Sequence, residues 1–346
     1  RADGTLRLHV EREQFPDPGE RQLLIRIEAA PINPSDLVPL LAHVDLHSLR
    51  REGGETLGTI PSDALAGLQA RAGKALPVGN EGAGVVVAAG KHAEHLVGRT
   101  VAVAGGRTYA QFRLADIDEI LALPPGVVPR QAASAIVNPL TAMAMLETMR
   151  REGHTALINT AAASNLGQML NRLCLADGVD LINIVRSDEQ AAILRAAGAR
   201  YVLNSAAADF EATLVEAIFE VGATLAFDAV GGGPLAGTIL AAMGKANDRR
   251  STGYSRFGST TRRQVYLYGR LSRAPTEIGA DVGVAWTVGY WLVWPMLEEL
   301  GADVRARLRA RAAAEATTTF ASHYAEEISL TQALDPAIIA RFARRS

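Results

Sequence analysis

The 346-residue chain has very little of what disulfide, thiolate-metal or membrane chemistry requires. Its one cysteine, Cys174, can neither close a disulfide within the chain nor complete a cage of thiolates around a metal. Cys174 falls on the apolar face of a predicted helix, so we interpret it as a core residue. The apolar run at 286–294 is too short to cross a membrane. We therefore expect no metal site and no membrane association.

Neither sign of charge dominates, because the chain has 35 lysines and arginines and 37 aspartates and glutamates, which gives a net charge of −2. No global basic field points to nucleic acid. The length is sufficient for two domains with buried cores. A cytoplasmic location is the default expectation. The chain begins at Arg1 without a methionine, which leaves a removed targeting segment open.

Two of the three glycines of a dinucleotide-binding fingerprint are also missing. Residues 155–187 predict a strand, a tight turn, a helix that ends near Gly178, and a second strand, and the turn keeps only Gly167. Alanine and serine are small enough to let the backbone approach a pyrophosphate, and a helix N-terminus offers unpaired N–H groups. The alternative is a plain βαβ unit whose small residues only permit tight packing. The cofactor-binding candidates here are Ser164, Asn165, Leu166 and Gly167.

Further strands at 201–203, 224–228 and 265–269 alternate with helices that have one apolar face. This alternation predicts an α/β fold with a doubly wound parallel sheet, whose ligands bind beyond the carboxyl ends of the strands. At two of those ends we place four more cofactor-binding candidates: Val230, Gly231, Tyr268 and Gly269.

The residue that ends the second strand decides the ribose chemistry in such a fold. An acid there would bind the ribose hydroxyls of NAD, whereas this chain has Arg186 followed by Ser187. A guanidinium and a hydroxyl suit a 2′-phosphate, so we predict NADPH rather than NADH. The alternative is a solvated arginine at the edge of a loop.

Short strands separated by glycine and proline precede this region, at 6–10, 23–27, 85–87, 101–103 and 109–113. They predict a partly open β-barrel that forms a substrate-side domain.

Four motifs then carry a resemblance: APINPSD at 30–36, GNEG at 79–82, NPLTA at 138–142 and FDAVG at 227–231. In this order they resemble the zinc-independent medium-chain dehydrogenase/reductases, and within them the NADPH:quinone oxidoreductases and the mitochondrial-type 2-enoyl thioester reductases. The resemblance covers about residues 6–270. It implies a GroES-like partly open β-barrel domain at 1–128, to which 295–346 returns, and a Rossmann domain at 129–294 with the nicotinamide in the cleft between them.

The resemblance also implies a homodimer formed through the outer edge of the Rossmann sheet, near 282–294. Trp286, Tyr290, Trp291 and Trp294 would suit such an interface, with an ordinary core strand as the alternative.

Three residues are catalytic candidates by this resemblance: Asn33, Asn80 and Thr141. Zinc-binding members have a histidine where this chain has Asn80, and they use cysteine ligands that this chain lacks. Asn33 stands next to the nicotinamide in the family and could donate to an oxyanion, while Thr141 and the cofactor-binding candidate Asn138 occupy a helix entry beside the cofactor. Each residue also has a purely structural alternative: Asn33 only forms a turn, Thr141 only caps a helix, and Asn80 only hydrogen-bonds the backbone of its glycine loop.

Two departures from the family bear on the substrate. Enoyl thioester reductases carry a proton-donating tyrosine about eleven residues after the matching asparagine, where this chain has LAHVD at 41–45. His43 or His47 could substitute, or could simply be solvated. The second departure is the long stretch 45–74, where 62–69 predicts a short capped helix that is either a lid or a surface insertion.

We therefore predict a zinc-independent NADPH-dependent oxidoreductase that transfers hydride to a quinone or a similar activated carbonyl acceptor. The alternatives are a 2-enoyl thioester reductase and a nucleotide-binding protein without turnover.

Overall fold

The computed structural model describes residues 3–251, Arg256 and 258–345, with only the backbone described at 344 and 345. The chain forms two compact units. The first comprises Arg1–Ile136 and Ser322–Ser346, and the second comprises Val137–Ala321.

The first unit contains a five-stranded antiparallel sheet in the order β7-β2-β5-β6-β8. Its core is built from alternate residues such as Leu23, Ile25, Val101 and Val103, each fully buried. β7 and β8 do not pair with each other, so the sheet stays open, as predicted for a partly open barrel. The strands of this unit are β1 (Thr5–Leu8), β2 (Gln22–Ala29), β3 (Asp45–Glu52), β4 (Glu55–Thr59), β5 (Glu81–Ala89), β6 (Thr100–Ala104), β7 (Phe112–Asp116) and β8 (Ile120–Ala122).

The long stretch 45–74 is mainly a β-hairpin, which the sequence did not predict. β3 and β4 pair antiparallel, and β4 also pairs with β1 to give a separate three-stranded sheet. Ser62–Leu68 is a 3-10 helix without a side-chain cap, so the predicted capped helix was wrong in type. The sequence did carry a local signal for the hairpin, because Gly53 and Gly54 form the two-residue turn between β3 and β4 with φ values of +56° and +86°. The pairing of β4 with β1, which joins Thr59 to Thr5, has no such local signal.

The second unit contains a six-stranded parallel sheet, which confirms the predicted doubly wound α/β fold. Its order is β11-β10-β9-β12-β13-β14, so the chain reverses direction across the sheet between β9 and β12. Ligands bind beyond the carboxyl ends of the strands at such a reversal. The strands are β9 (Ala156–Asn159), β10 (Asp180–Val185), β11 (Tyr201–Asn204), β12 (Leu225–Asp228), β13 (Arg263–Leu267) and β14 (Trp286–Tyr290).

Helices cover this sheet, and its central strands are buried. Ile158, Ile182 and Val265 lie in one core cluster with residues of the covering helices, as expected for a parallel sheet. Cys174 lies fully buried on its helix, and burial raises the pKa of its thiol, consistent with a core role. The first two helices of the chain, α1 (Pro34–Leu41) and α2 (Pro129–Ala132), belong to the first unit. The second unit holds α3 (Val137–Arg151), α4 (Asn165–Asp177), α5 (Asp188–Ala196), α6 (Phe210–Val221), α7 (Leu235–Arg250), α8 (Val293–Leu300) and α9 (Ala302–Ala314).

The unit boundaries differ from the predicted ones at 128/129 and 294/295. Residues 295–321 lie in the second unit because α8 and α9 pack against α3. Asp177, at the end of α4, accepts hydrogen bonds of 2.7 and 3.0 Å from Arg311 of α9 and one of 3.1 Å from Arg150 of α3. Only the last segment returns to the first unit, where α10 (Pro336–Arg345) buries Ile339 against Leu41 and Val44.

Gly167 sets how closely α4 can approach the turn after β9. A Cβ at this position would overlap the carbonyl oxygen of Ala162, and the residue is buried. The one glycine that remains from the fingerprint is therefore required by packing.

We expect Gly167→Ala to lower the free energy of unfolding by about 1–3 kcal/mol, because the added methyl group meets rigid backbone. The measurement is urea-induced unfolding of the variant and the wild type. Gly289→Ala is the matched control, since its Cβ would find its nearest neighbour at 3.8 Å, an ordinary contact. Equal stability of the Gly167 variant and the wild type would contradict the packing argument.

Candidate functional site

The point where the parallel sheet reverses is organised around one buried carboxylate. Asp228, at the end of β12, accepts hydrogen bonds from the Thr160 hydroxyl at 2.6 Å and from the backbone N–H groups of Val230 and Gly231 at 2.9 and 3.1 Å. The Thr160 oxygen in turn accepts from the Ala229 N–H at 2.9 Å. Asp228 and Thr160 are both fully buried. The loop after β12 is thus joined to the turn after β9.

Four of the predicted cofactor residues come together beside this carboxylate. A Cβ at Gly231 would lie 2.5 Å from the Gly269 oxygen, and a Cβ at Gly269 would lie 2.6 Å from the Ala229 oxygen. The loops at Val230–Gly231 and Tyr268–Gly269 therefore touch backbone to backbone. Gly231 also has a φ of +71°, which other residues rarely adopt.

Tyr268 lies at the edge of this group with its ring packed against the core. The ring meets Phe227 edge-on at 6.5 Å, and the hydroxyl lies 3.4 Å from the Asn159 side-chain oxygen. Burial, reinforced by the negative charge of Asp228, raises the pKa of Tyr268. Trp291 is a core residue, because it is 4% exposed and donates to the Thr148 hydroxyl at 3.1 Å.

The N-terminus of α4 presents the second group of candidates. The Ser164 oxygen caps the helix by accepting from the Gly167 N–H at 3.1 Å, and Asn165 and Leu166 form the first turn. The preceding Ala161 has a φ of +49°, and the Ala162 N–H donates to Ile184 of β10 at 3.2 Å. The turn is therefore held to the sheet on both sides, with the helix N-terminus at the carboxyl end of β9.

Arg186 and Ser187 lie at the end of β10 as predicted, but they differ in their surroundings. Arg186 is exposed, and the structure gives its guanidinium no ion pair among the described residues. The Ser187 hydroxyl is occupied: it accepts from the Gln190 N–H at 3.3 Å as a helix cap, and it bonds Glu189, which lowers the pKa of that acid. The Gln190 side chain accepts from the Arg186 N–H at 3.1 Å.

Asn138 and Thr141 both lie in the first turns of α3. Thr141 is buried, and its hydroxyl donates to the Val137 oxygen at 2.6 Å, one helical turn earlier. Asn138 is half-buried.

In the first unit, a side chain with no assigned role brings Asn33 and Asn80 together. The Asp36 carboxylate accepts from the backbone N–H of Asn33 at 2.9 Å and from the backbone N–H of Asn80 at 2.8 Å. The Asn80 amide group donates to the Ser35 hydroxyl at 3.3 Å. Sequence reasoning missed Asp36 as a site residue, although its position three residues after Asn33 is that of the acid in a capping box.

Tyr109 is the other site residue that sequence reasoning missed. Its hydroxyl donates to the Pro31 oxygen at 2.9 Å and lies next to Asp36. Burial raises the pKa of Asp36, an effect opposed by the N–H groups of Asn33 and Asn80 and by the tyrosine hydroxyl. Burial and the charge of Asp36 also raise the pKa of Tyr109. The group therefore contains a tyrosine hydroxyl at a place in the chain far from where the family pattern suggested one.

The two histidines considered as substitutes lie elsewhere in the first unit. His43 follows α1, and His47 lies in β3, where its N–H donates to Asp45 at 2.9 Å. Across the described residues, no three histidine, cysteine or acidic side chains gather in a way that could hold a metal ion. Within the same residues, no helix has the length and apolar character needed to cross a membrane.

No protein-family model matches the chain. Among curated proteins it is similar to the mitochondrial enoyl-[acyl-carrier-protein] reductase of Xenopus tropicalis, with 28% identity over 188 residues, 53% of this chain and 46% of that protein. It is also similar to a quinone oxidoreductase of Pseudomonas aeruginosa, with 33% identity over 138 residues, 39% of this chain and 42% of that protein. The chain thus spans less than half of the length of each of these relatives.

Among solved structures, the chain is similar to one from Mesorhizobium loti described as a candidate NADPH:quinone reductase. The TM-score is 0.69 at 29% identity, with 94% of this chain and 85% of the other covered. Structures with the same fold at 21% and 19% identity, each with a TM-score of 0.64, were solved with NADPH and with NADP. The predicted cofactor is therefore the one found in complexes of this fold.

These findings confirm the resemblance indicated by the sequence motifs. The chain is a relative of proteins named quinone oxidoreductase and mitochondrial enoyl reductase, and its fold is that of the medium-chain dehydrogenase/reductases.

Proposed function

We propose that this chain is an NADPH-dependent oxidoreductase that reduces a quinone or a similar activated carbonyl acceptor without zinc. The observation that carries the proposal is the assembly of the predicted cofactor residues at the reversal of the parallel sheet. The turn before α4, the loop after β12 and the loop after β13 all open at the carboxyl ends of neighbouring strands.

The residues present fit a dinucleotide. Gly167 leaves room where a side chain would block the turn, and the N-terminus of α4 supplies N–H groups and a favourable dipole for a pyrophosphate. The proposed binding residues are Asn138, Ser164, Asn165, Leu166, Gly167, Arg186, Ser187, Val230, Gly231, Tyr268 and Gly269. When bound, NADPH supplies the hydride.

Arg186 supports the preference for NADPH over NADH. It is an exposed cation at the end of β10, where an acid would repel a 2′-phosphate. The Ser187 hydroxyl already has two partners within the chain, so we assign the larger part of this preference to Arg186.

We expect Arg186→Ala to weaken NADPH binding about 10- to 100-fold, which corresponds to the loss of a charge-assisted hydrogen bond. Binding of NADH should change little, because NADH has no 2′-phosphate. The measurement is calorimetric titration of both coenzymes. Arg195→Ala is the matched control, because Arg195 is an exposed arginine on α5, the helix that follows Arg186. An equal loss of affinity for NADPH and NADH in the Arg186 variant would contradict the role assigned to Arg186.

The proposed reduction needs little acid catalysis. Asn33 would donate a hydrogen bond to the developing oxyanion, with Asn80 and Thr141 as further polar groups. The donor set of the chain supports a reaction without zinc. Asn80 stands where zinc-binding relatives have a histidine, and the one cysteine lies buried in α4.

A 2-enoyl thioester reductase is the second candidate, and two observations favour it. The match to the mitochondrial enoyl reductase covers more of this chain than the match to the quinone oxidoreductase. In addition, the first unit holds a tyrosine hydroxyl beside Asp36, at Tyr109.

Assay of NADPH oxidation with quinones, simple enones and 2-enoyl thioesters distinguishes these functions. We expect the highest kcat/KM with a quinone, and we expect Asn33→Ala to lower it at least about tenfold through loss of an oxyanion donor. Gln111→Ala, an exposed amide in the same unit, is the control. A clear preference for enoyl thioesters would establish the second candidate. Tight NADPH binding without oxidation by any acceptor would indicate a nucleotide-binding protein without turnover.

We also propose that the chain forms a homodimer through β14. This strand is the edge of the parallel sheet, and Trp286, Tyr290, Leu292 and Trp294 are all exposed on or next to it.

For this proposal, Leu292→Glu should convert a dimer into a monomer, because it places a charge at the apolar edge. Sedimentation velocity of the wild type and the variant measures the change. Leu175→Glu, which changes another exposed leucine on α4, should leave the dimer intact. A monomeric wild type would refute the interface.

A further inference from the structure

Asp36 joins two segments of the first unit that are far apart in sequence. It occupies the third position of α1, from which its carboxylate turns back toward the start of the helix. One oxygen accepts from the Asn33 N–H at 2.9 Å and the other accepts from the Asn80 N–H at 2.8 Å, across 44 residues of sequence. One carboxylate therefore fixes the backbone at both asparagines.

This arrangement goes beyond ordinary helix capping. A capping box consists of reciprocal bonds between the N-cap residue and the third residue of the helix, here Asn33 and Asp36, and it requires no bond to a distant segment. The second bond holds the Asn80 backbone, although Asn80 is exposed and its N–H could bond water instead. The bond to the second oxygen therefore fixes the position of the Asn80 backbone, because water would satisfy the Asn80 N–H equally well but would not hold it in place.

Tyr109 holds the same two segments together from another side. Its hydroxyl bonds Pro31, two residues before Asn33, and its backbone N–H donates to the Val78 oxygen at 3.2 Å. Its ring fills the space beside Gly79, where an added Cβ would lie 2.5 Å from a ring carbon. The contacts of Tyr109 therefore limit movement of the same two segments, around Asn33 and Asn80, that Asp36 joins.

We infer that Asp36 is a positioning residue that holds Asn33 and Asn80 in one fixed arrangement for the acceptor. This inference rests on the proposed function of Asn33 as an oxyanion donor. An electrostatic donor accelerates a reaction only when it is already oriented toward the developing charge, so a loosened Asn33 would lose much of its effect.

Site-resolved amide hydrogen exchange tests the structural part of the inference without requiring activity. In Asp36→Asn an N–H₂ group replaces one acceptor oxygen, so one of the two N–H groups loses its bond. We expect exchange at Asn33 or Asn80 to become about tenfold faster, as the loss of one charge-assisted bond predicts. Asp116→Asn is the matched control, because Asp116 also accepts from a backbone N–H, that of Asp118, at 3.0 Å.

Steady-state kinetics tests the catalytic part. We expect Asp36→Asn to lower kcat for the acceptor about tenfold while the affinity for NADPH stays unchanged. In the Asn33→Ala background, the same substitution should have little further effect, because a residue that acts through Asn33 has nothing left to position. A purely structural residue would instead give additive losses in the double variant.

The inference is overturned if exchange at both asparagines in Asp36→Asn matches the wild type, or if the two substitutions act additively on kcat. If Asp36→Asn does not fold, Asp36→Glu serves as the second variant, since glutamate suits the same helix position but its longer side chain displaces the carboxylate. It should speed exchange at Asn80 several-fold, and unchanged exchange would again overturn the inference. If the wild type fails to oxidise NADPH with any of the acceptors, the proposed function is refuted. The exchange experiment would still decide whether Asp36 holds the backbone at Asn33 and Asn80.

Discussion

The proposed cofactor site depends on the hydrogen bonds that the buried carboxylate of Asp228 accepts. The carboxylate is out of contact with water, and the Thr160 hydroxyl and two backbone N–H groups compensate its desolvation. Loss of any of these donors would leave the buried carboxylate with fewer hydrogen bonds, so the bonds stabilise the observed conformation of the loop after β12. The glycines at 231 and 269 then let that loop and the loop after β13 approach closely. This set of loops at the reversal of the sheet is the structural basis of the proposed dinucleotide site.

The second unit could be predicted well from the sequence because its signals are local. Buried parallel strands appear as apolar runs, and the helices between them carry apolar faces and caps, such as Ser164 before α4 and Gly178 after it. The degraded fingerprint also retained its decisive position, since Gly167 is the residue that cannot carry a side chain. The domain boundaries were harder to predict, because the bonds from Arg311 to Asp177 that hold α9 to this unit join residues 134 positions apart.

The first unit was predicted less completely, and the reasons are again physical. The open five-stranded sheet followed from alternation and turn residues. The hairpin of β3 and β4 was missed although Gly53 and Gly54 mark its turn, whereas the pairing of β4 with β1 joins Thr59 to Thr5 and has no local signal. In the candidate site, Asn33 and Asn80 were proposed from their motifs. Asp36 had a local signal in its capping-box position, but its bond to Asn80 and the bond of Tyr109 to Pro31 span 44 and 78 residues, which no local pattern encodes.

The most direct test of this account is hydrogen exchange of the wild-type protein with and without NADPH, followed by mass spectrometry. The account predicts slower exchange with NADPH at 160–167, 186–190 and 229–231, and no change in the hairpin at 45–59. NADPH that leaves all three segments of the second unit unchanged would contradict the central claim that the reversal of the parallel sheet is the coenzyme site.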